Sequence, residues 1–293
     1  MIFNIVHTTA YEYSAPAIES FTELRVRPRQ SNRQIVHRHV TEVTPRAALE
    51  EFNDYYDNAV ECLSVPYRHK TLSVTSRSTV ETLPHKHVLE ALDLSVSEAV
   101  RLYWPQRREL FDFLMPSIHS PITPELEALS KQELKSSASF AESIMGLSSY
   151  IYETFTYMPG VTDIRTPLTE VLRKRQGVCQ DFAHLMIALI RCAGLPARYV
   201  SGYLETESVR GASELVGATA SHAWVEVYMP NGMWLGIDPT NDMLEGERHV
   251  QIGIGRDYGD VPPLRGVFKG AKRQQLSVMV TVSRTTGEMV NGA

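Results

Sequence analysis

The stretch that decides the fold is Gly177-Val178-Cys179-Gln180-Asp181-Phe182-Ala183-His184-Leu185, in which a glycine turn runs straight into an apolar segment. The apolar residues that follow recur at spacings of three and four: Phe182, Leu185, Met186, Leu189 and Ile190. This spacing is typical of a helix with one buried face, and Gly194 with Pro196 marks its end. Cys179 is therefore predicted in the first turn, where unpaired backbone N–H groups and the helix dipole favour an anion. Since the thiolate is the reactive form of cysteine, a thiol placed there can act as a nucleophile.

A second informative segment is strand-like and carries a histidine. The alternation and the β-branched residues of Ala220 to Tyr228 predict a strand. Pro230-Asn231-Gly232 then predicts a turn, and residues 233–237 predict the returning strand of a hairpin, with Asp238 at its end. His222 and Asp238 each lie about eight positions from the turn, so we expect the hairpin to bring an imidazole beside a carboxylate. Such a carboxylate holds the ring in one tautomer and stabilises its charged form.

Each of these three residues alone has a more common structural interpretation. A single cysteine on an apolar helix is usually a buried small hydrophobe, a strand histidine is usually a core residue, and an aspartate before Pro-Thr usually forms a turn. Their combination favours chemistry, because Cys179, His222 and Asp238 follow in the order nucleophile, base and orienting acid within about 60 residues. The sequence therefore predicts a Cys-His-Asp enzyme that processes amides.

At these residues the chain resembles the transglutaminase-like superfamily, in its bacterial branch of transglutaminase-like enzymes and cysteine proteases. The segments that carry the resemblance are 177–184, 194–203, 221–227 and 238–241, which read GVCQDFAH, GLPARYVSGY, SHAWVEV and DPTN. The resemblance implies that the nucleophile is Cys179, the general base His222 and the orienting acid Asp238.

The N-terminal third resembles the β-region that accompanies this bacterial core. The matching segments are 11–13, 20–29 and 57–58, which read YEY, SFTELRVRPR and DN. One departure is that the family's usual Asp-x-Phe-Gly-Asn reads Asp54-Tyr55-Tyr56-Asp57-Asn58, which we expect to alter a turn of this region rather than the chemistry. A second departure is the lack of a tryptophan about 30 to 40 residues before Cys179, where animal transglutaminases carry one that stabilises the oxyanion. That lack argues against true protein crosslinking.

Strand and helix patterns divide the chain into four segments. Residues 1–84 hold short strand-like runs broken by turns and predict an all-β, sandwich-like accessory domain. Residues 85–120 predict a helical connector, and residues 121–250 predict a transglutaminase-like catalytic core with helices before an antiparallel sheet. Residues 251–293 predict strands and a tail that complete this core. The order of elements predicts an α+β fold whose core is papain-like.

Composition and charge narrow the expected partners. The 293 residues are 43% hydrophobic and 22% charged, which is ordinary for a soluble globular protein with room for two domains. The net charge of −5 and the scattered lysines and arginines give no basic surface, so nucleic acid is not an expected partner. The start of the chain is not signal-like and no apolar stretch reaches about 18 residues, so we expect a cytoplasmic protein without a membrane partner.

Cysteine and histidine spacings predict neither a disulfide framework nor a metal site. Cys62, Cys179 and Cys192 are an odd number of thiols that fits a reducing compartment, and we interpret the first and the last as packing residues. His184 lies five residues after Cys179, so on a helix the two side chains point about 140° apart and do not converge on one ion. We expect no metal and no other cofactor.

The chemistry expected from these features is hydrolysis of an amide or peptide bond through a thioester on Cys179, with a protein or peptide as the substrate. The backbone N–H of Cys179 is expected to bind the oxyanion, with a second donor from Gln180 or Tyr157. Trp224 is expected to pack the hairpin or to form a wall of the substrate cleft. Two alternatives stay open, namely transglutaminase-type acyl transfer, as crosslinking or deamidation, and an inactive binding or scaffold module. The sequence carries no signal for an oligomeric state.

Overall fold

Two antiparallel sheets form the N-terminal part of the protein. The structure is a computed structural model that describes residues 1–84, 94–205, 221–270 and 272–285. The strands of this part are β1 (Ile2–Ala17), β2 (Glu19–Leu24), β3 (Gln34–Thr44), β4 (Leu49–Asn53), β5 (Ala59–Val65), β6 (His69–Thr82), β14 (Leu264–Lys269) and β15 (Gln274–Arg284). Within the described residues one four-stranded sheet has the order β15–β1–β6–β3 and the other has the order β14–β2–β5–β4. Buried and exposed positions alternate along β6, as expected for a sheet with one face on a core, and the predicted all-β region is confirmed.

The last two strands belong to this N-terminal part and correct one prediction. Residues 251–293 do not all complete the core, because β14 pairs with β2 and β15 pairs with β1. In β15 the inward-facing Val280 and Val282 pack with Phe3 and Ile5 of β1. Alternation specifies which face of a strand is buried, but it does not specify which sheet edge accepts the strand.

The remaining residues form helices followed by one antiparallel sheet. The helices are α1 (Val96–Tyr103), α2 (Phe111–Leu114), α3 (Pro124–Glu133), α4 (Phe140–Thr154), α5 (Leu168–Lys174) and α6 (Cys179–Cys192). The strands are β7 (Thr156–Tyr157), β8 (Gln176–Gly177), β9 (Ala197–Leu204), β10 (Ser221–Tyr228), β11 (Trp234–Asp238), β12 (Met243–Leu244) and β13 (His249–Gly255). The core sheet has the order β12–β11–β10–β9–β13, and β7 and β8 pair in parallel just before α6. The predicted α+β class with a papain-like order of elements is confirmed. Among the helices of the described ranges, none combines the length and apolarity needed to cross a bilayer.

Helix α6 lies at the centre of the core and is buried on all sides. It packs against β9 and β10 and also against α3, α4 and α5. Residues 181–191 are all buried, which exceeds the single buried face predicted from the sequence. Its polar residues tolerate this because they have partners: Arg191 donates to the carbonyl of Ala197 at 2.9 Å, and Nε2 of His184 accepts from the backbone N–H of Tyr258 at 3.1 Å. The helix is therefore a rigid base for the residue at its start.

The turn that departs from the family pattern connects the N-terminal part to the core sheet. Asp57 stands where that pattern has glycine, and its φ of 60° lies in the left-handed region that favours glycine. Aspartate is tolerated there, and its carboxylate accepts a hydrogen bond from Nδ2 of Asn53 at 2.7 Å. The next residue, Asn58, donates to the carbonyl of Ile254 at 2.8 Å and accepts from the N–H of the same residue at 2.8 Å. The altered turn therefore holds Asn58 against strand β13.

Candidate active site

Cys179 is the first residue of α6 and follows Val178, whose extended backbone continues from strand β8. The residue is 8% exposed, so only a small part of it faces solvent. The first backbone N–H groups of a helix have no partner within the helix and point towards an anion placed at that end. The structure therefore puts the sulfur where the sequence predicts it, at the positive end of the central helix.

A carboxylate within the first turn of α6 explains the glycine before the cysteine. Oδ2 of Asp181 accepts from the backbone N–H of Val178 at 2.9 Å and from the hydroxyl of Thr162 at 2.7 Å. A Cβ atom at Gly177 would lie 2.8 Å from that oxygen and 2.9 Å from Cβ of Asp181, closer than real Cβ atoms approach. Burial raises the pKa of Asp181, although both hydrogen bonds lower it. Residue 177 must therefore lack a side chain for this cap to form.

His222 and Asp238 form a buried pair on neighbouring strands. Nε2 of His222 lies 2.8 Å from Oδ2 of Asp238, and neither side chain is exposed. The register of β10 and β11 pairs Val225 with Ile237, so its continuation puts Asp238 opposite Trp224 rather than opposite the histidine. The carboxylate reaches the imidazole diagonally, and the hairpin still brings the two groups together.

Asp238 accepts several hydrogen bonds besides the one from His222. The backbone N–H of Thr240 donates to Oδ1 at 2.9 Å, and Nδ2 of Asn241 donates to Oδ2 at 2.7 Å. Nε2 of His249 lies 3.4 Å from Oδ2. Burial alone would raise the pKa of Asp238, but the charge of His222 and these imidazole hydrogen bonds hold it well below its usual range. The aspartate is therefore a fixed negative charge behind the His222 ring.

The charge of His222 is coupled to Cys179. Burial lowers the pKa of His222, whereas the charge of Asp238, the charge of Cys179 and hydrogen bonding to both raise it to about 10. Nε2 of the ring faces Asp238, and Nδ1 has no hydrogen-bond partner of regular geometry among the described residues. Nδ1 is therefore the nitrogen left to exchange a proton with the sulfur.

Of the two roles expected for Trp224, packing of the hairpin and a wall of the cleft, the structure shows packing. Trp224 is fully buried, and its ring stacks on that of His222 with centroids 6.1 Å apart and contacts His249 edge-on at 5.2 Å. A side chain at Gly202 on β9 would collide with the Trp224 ring. The tryptophan is a packing residue of the histidine pair, and the glycine opposite makes room for it.

Tyr157 and Gln180, the other two cleft candidates, lie close to the start of α6. Tyr157 is half-buried, and its strand β7 pairs with Gly177 two residues before Cys179. Burial, together with the charge of Cys179, raises the pKa of Tyr157 to about 12, so its hydroxyl keeps its proton and can donate. Gln180 is the next residue of the first helical turn and is partly exposed.

Sequence reasoning missed His249. This histidine starts β13, is buried, and contacts both the aspartate and Trp224. Its only sequence signal is a position at the start of a predicted strand, and nothing in its distance from Cys179 or His222 indicates a role. The β13 to β9 pairing brings it to the site, and that pairing is not visible in a local pattern.

The fold and the site together define a papain-like α+β protein with a thiol at the start of its central helix. The chain belongs to the transglutaminase-like superfamily. Residues 128–239 match the family model of the transglutaminase-like superfamily, and residues 3–81 match that of the bacterial transglutaminase-like N-terminal region. The resemblance noted in the sequence is therefore confirmed, and members of this family are typically cysteine-dependent enzymes.

Three known proteins show how far the similarity extends. An uncharacterized protein of Mycobacterium leprae (strain TN) is 34% identical over 289 residues, which cover 96% of this chain and 98% of that protein. The crystal structure of a "Putative Cysteine Protease" from Cytophaga hutchinsonii has a TM-score of 0.74 at 25% identity and covers 98% of this chain and 92% of the other. A protein-glutamine gamma-glutamyltransferase of Pseudomonas aeruginosa is 33% identical over 134 residues, which cover 41% of this chain and 20% of that protein.

Proposed function

We propose that this protein is a cysteine-dependent hydrolase of amide or peptide bonds, with Cys179 as nucleophile, His222 as base and Asp238 as orienting acid. The observation that carries the proposal is the buried His222–Asp238 pair at 2.8 Å, in which the charge of the imidazole is coupled to a thiol at a helix N-terminus. A protein or peptide is the proposed substrate, in keeping with the family and with the cysteine protease designation of its structural relative.

The proposed reaction uses one proton carrier for two steps. The Sγ–H proton of Cys179 passes to Nδ1 of His222, and the sulfur electron pair attacks the substrate carbonyl carbon. The C–N bond then breaks as the imidazolium returns its proton to the departing amine, which leaves a thioester. A water gives its proton to His222 and attacks the thioester, the C–S bond breaks, and the sulfur recovers the proton as the acid departs. Asp238 stabilises the imidazolium in both steps without taking a proton.

Two donors are proposed for the oxyanion. The backbone N–H of Cys179 lies in the first turn of α6, where such groups are free to bind a developing negative charge. The hydroxyl of Tyr157 is the second donor, because its raised pKa keeps it protonated and its strand runs beside residue 177. The side chain of Gln180 is the alternative at this position.

Acyl transfer to an amine is the second candidate function. The similarity to the gamma-glutamyltransferase of Pseudomonas aeruginosa favours it, although that match covers 41% of this chain. The two reactions share the thioester and differ in whether water or an amine resolves it. A glutamine-containing peptide incubated with a labelled primary amine separates them, since label in the peptide indicates transfer, while cleavage or deamidation alone indicates hydrolysis.

Thiol labelling tests whether Cys179 is activated, and the other two cysteines, Cys62 and Cys192, serve as internal controls. Burial, followed by the charge of Glu23, raises the pKa of Cys62, and burial raises that of Cys192 to about 11. At pH 7 a thiol with the latter pKa is thiolate in about one molecule in ten thousand. Iodoacetamide is therefore expected to modify Cys179 first, with the sites resolved by mass spectrometry.

The same labelling defines the controls and the outcome that contradicts the proposal. His222→Ala should slow the modification of Cys179 and leave the rates at Cys62 and Cys192 unchanged. If Cys179 reacts no faster than the other two thiols in the folded protein, the enzyme proposal is wrong and the inactive scaffold is favoured.

A further inference from the structure

Asp238 lies between two imidazoles, of which the proposed reaction uses only one. Oδ2 is 2.8 Å from Nε2 of His222 and 3.4 Å from Nε2 of His249. None of the three side chains is exposed. Trp224 contacts both rings, stacked on one and edge-on to the other, so the arrangement is closed to solvent.

The second imidazole is oriented by its own turn. The backbone N–H of Gly246 donates to Nδ1 of His249 at 3.2 Å, and the N–H of His249 donates to the carbonyl of Gly246 at 3.0 Å. Since Nδ1 accepts, a neutral ring must carry its proton on Nε2, and that proton points at Asp238. A donor at Nε2 orients the Asp238 carboxylate towards His222.

Contacts from both parts of the protein hold this turn in place. Nε of Arg248 lies 2.9 Å from Oε2 of Glu205, at the end of β9. The hydroxyl of Thr82, at the end of β6 in the N-terminal part, donates to the carbonyl of Glu247 at 2.7 Å. The ring of His249 is therefore fixed by a turn that both parts of the protein hold.

We propose that His249 is a positioning residue that fixes the Asp238 carboxylate towards His222 and so sets the strength of the imidazole–thiol pair. This inference rests on the proposed function, because it assigns a role within the same site. His249 contacts the proposed catalytic residues through its hydrogen bond to Asp238, so we place its action on the reaction in that carboxylate.

The test compares His249→Leu, which removes the donor, with His249→Gln, which keeps an N–H at a similar reach. In His249→Leu the rate of Cys179 labelling by iodoacetamide at pH 7 is expected to fall by about tenfold, which is near the lower end of the value of one hydrogen bond to a charged group. The titration midpoint of His222, followed by imidazole NMR, is expected to fall by about one pH unit. In His249→Gln the labelling rate should return to within about threefold of the wild-type rate, and the His222 titration midpoint to within a few tenths of a pH unit of the wild-type value. A purely structural role for His249 would change the unfolding midpoint and leave the His222 titration in place.

Each failure has a separate signature. If His222→Ala is labelled as fast as the wild type, the proposed function fails regardless of His249. If His222→Ala is slow while a folded His249→Leu matches the wild type in both readouts, only the role of His249 is overturned. Should His249→Leu not fold, His249→Asn serves in its place. The asparagine amide is one methylene shorter than the glutamine amide and therefore reaches less far towards Asp238. Equal behaviour of the asparagine and glutamine variants overturns the proposal.

Discussion

Replacement of Asp238 by asparagine tests the electrostatics of the pair directly, because it removes the charge and keeps the size of the side chain. Burial alone lowers the pKa of His222, yet Asp238 and Cys179 raise it from 6.5 to about 10. At about 1.36 kcal/mol per pKa unit, this difference corresponds to about 5 kcal/mol in favour of the imidazolium. The figure is a net value, because Asp238 and Cys179 both add to it and burial subtracts from it.

The expected result is a neutral His222 and a slower thiol. If Asp238 supplies at least half of the stabilisation, labelling of Cys179 by iodoacetamide at pH 7 falls by at least about 50-fold in Asp238→Asn. The His222 titration midpoint falls below its ordinary 6.5, because burial then dominates. Asp242→Asn is the matched control: its carboxylate accepts from the hydroxyl of Ser149 at 2.9 Å, and its φ of 47° is one that asparagine tolerates.

The same variant predicts a change in the pH dependence of stability. A histidine whose pKa is raised on folding stabilises the protein fully below pH 6.5, and this contribution is lost as the pH rises through about 10. Urea unfolding of the wild type between pH 7 and 10 should therefore show a falling free energy of unfolding that Asp238→Asn lacks. Labelling of Asp238→Asn within threefold of the wild-type rate would refute the reasoning, provided that Asp242→Asn is unchanged.

Two further predictions concern the helix start and acid stability. Gly177→Ala brings a Cβ within 2.8 Å of Asp181 and should destabilise the protein by about 1–3 kcal/mol in urea unfolding. Gly146→Ala is the control, because a Cβ at this exposed helix position meets nothing within 4 Å, and it should stabilise the protein by about 0.5–1 kcal/mol. Equal effects of the two substitutions would contradict the steric argument. Burial lowers the pKa of His184 to about 3, so the folded protein holds this histidine in its neutral form. The free energy of unfolding should therefore fall by up to about 1.4 kcal/mol per pH unit as the pH drops from 6.5 towards 3. His184→Gln, which keeps an acceptor for the N–H of Tyr258, should lose that slope, and an unchanged slope would assign it to other groups.

Local patterns predicted the elements that carry the candidate site. The spacing of apolar residues gave helix α6 with Cys179 at its start, and the hairpin pattern brought His222 near Asp238. Both arise from contacts between residues close in sequence, where period and turn chemistry determine the outcome. Short-range backbone geometry also explains the turn at Asp57, which stands where the family pattern has glycine.

The features that the sequence could not predict depend on pairings between distant segments. His249 reaches Asp238 because β13 pairs with β9, and Trp224 is buried because Gly202 on the neighbouring strand leaves space for it. The pairing of β15 with β1, rather than with the core sheet, is likewise a contact between distant segments. The alternation of residues specifies which face of a strand is buried. Which strand it pairs with depends on the sheet edge that the rest of the chain leaves open.

The pairing of β1 with β15 has a consequence for biosynthesis. Phe3 lies opposite Arg284, so during synthesis β1 finds this neighbour only after the residues between them have been translated. Until then one edge of β1 lacks its final partner while the helices between them are already available to fold. Contacts of such long sequence separation form slowly, so closure of this sheet is expected to be a late event in the maturation of the protein.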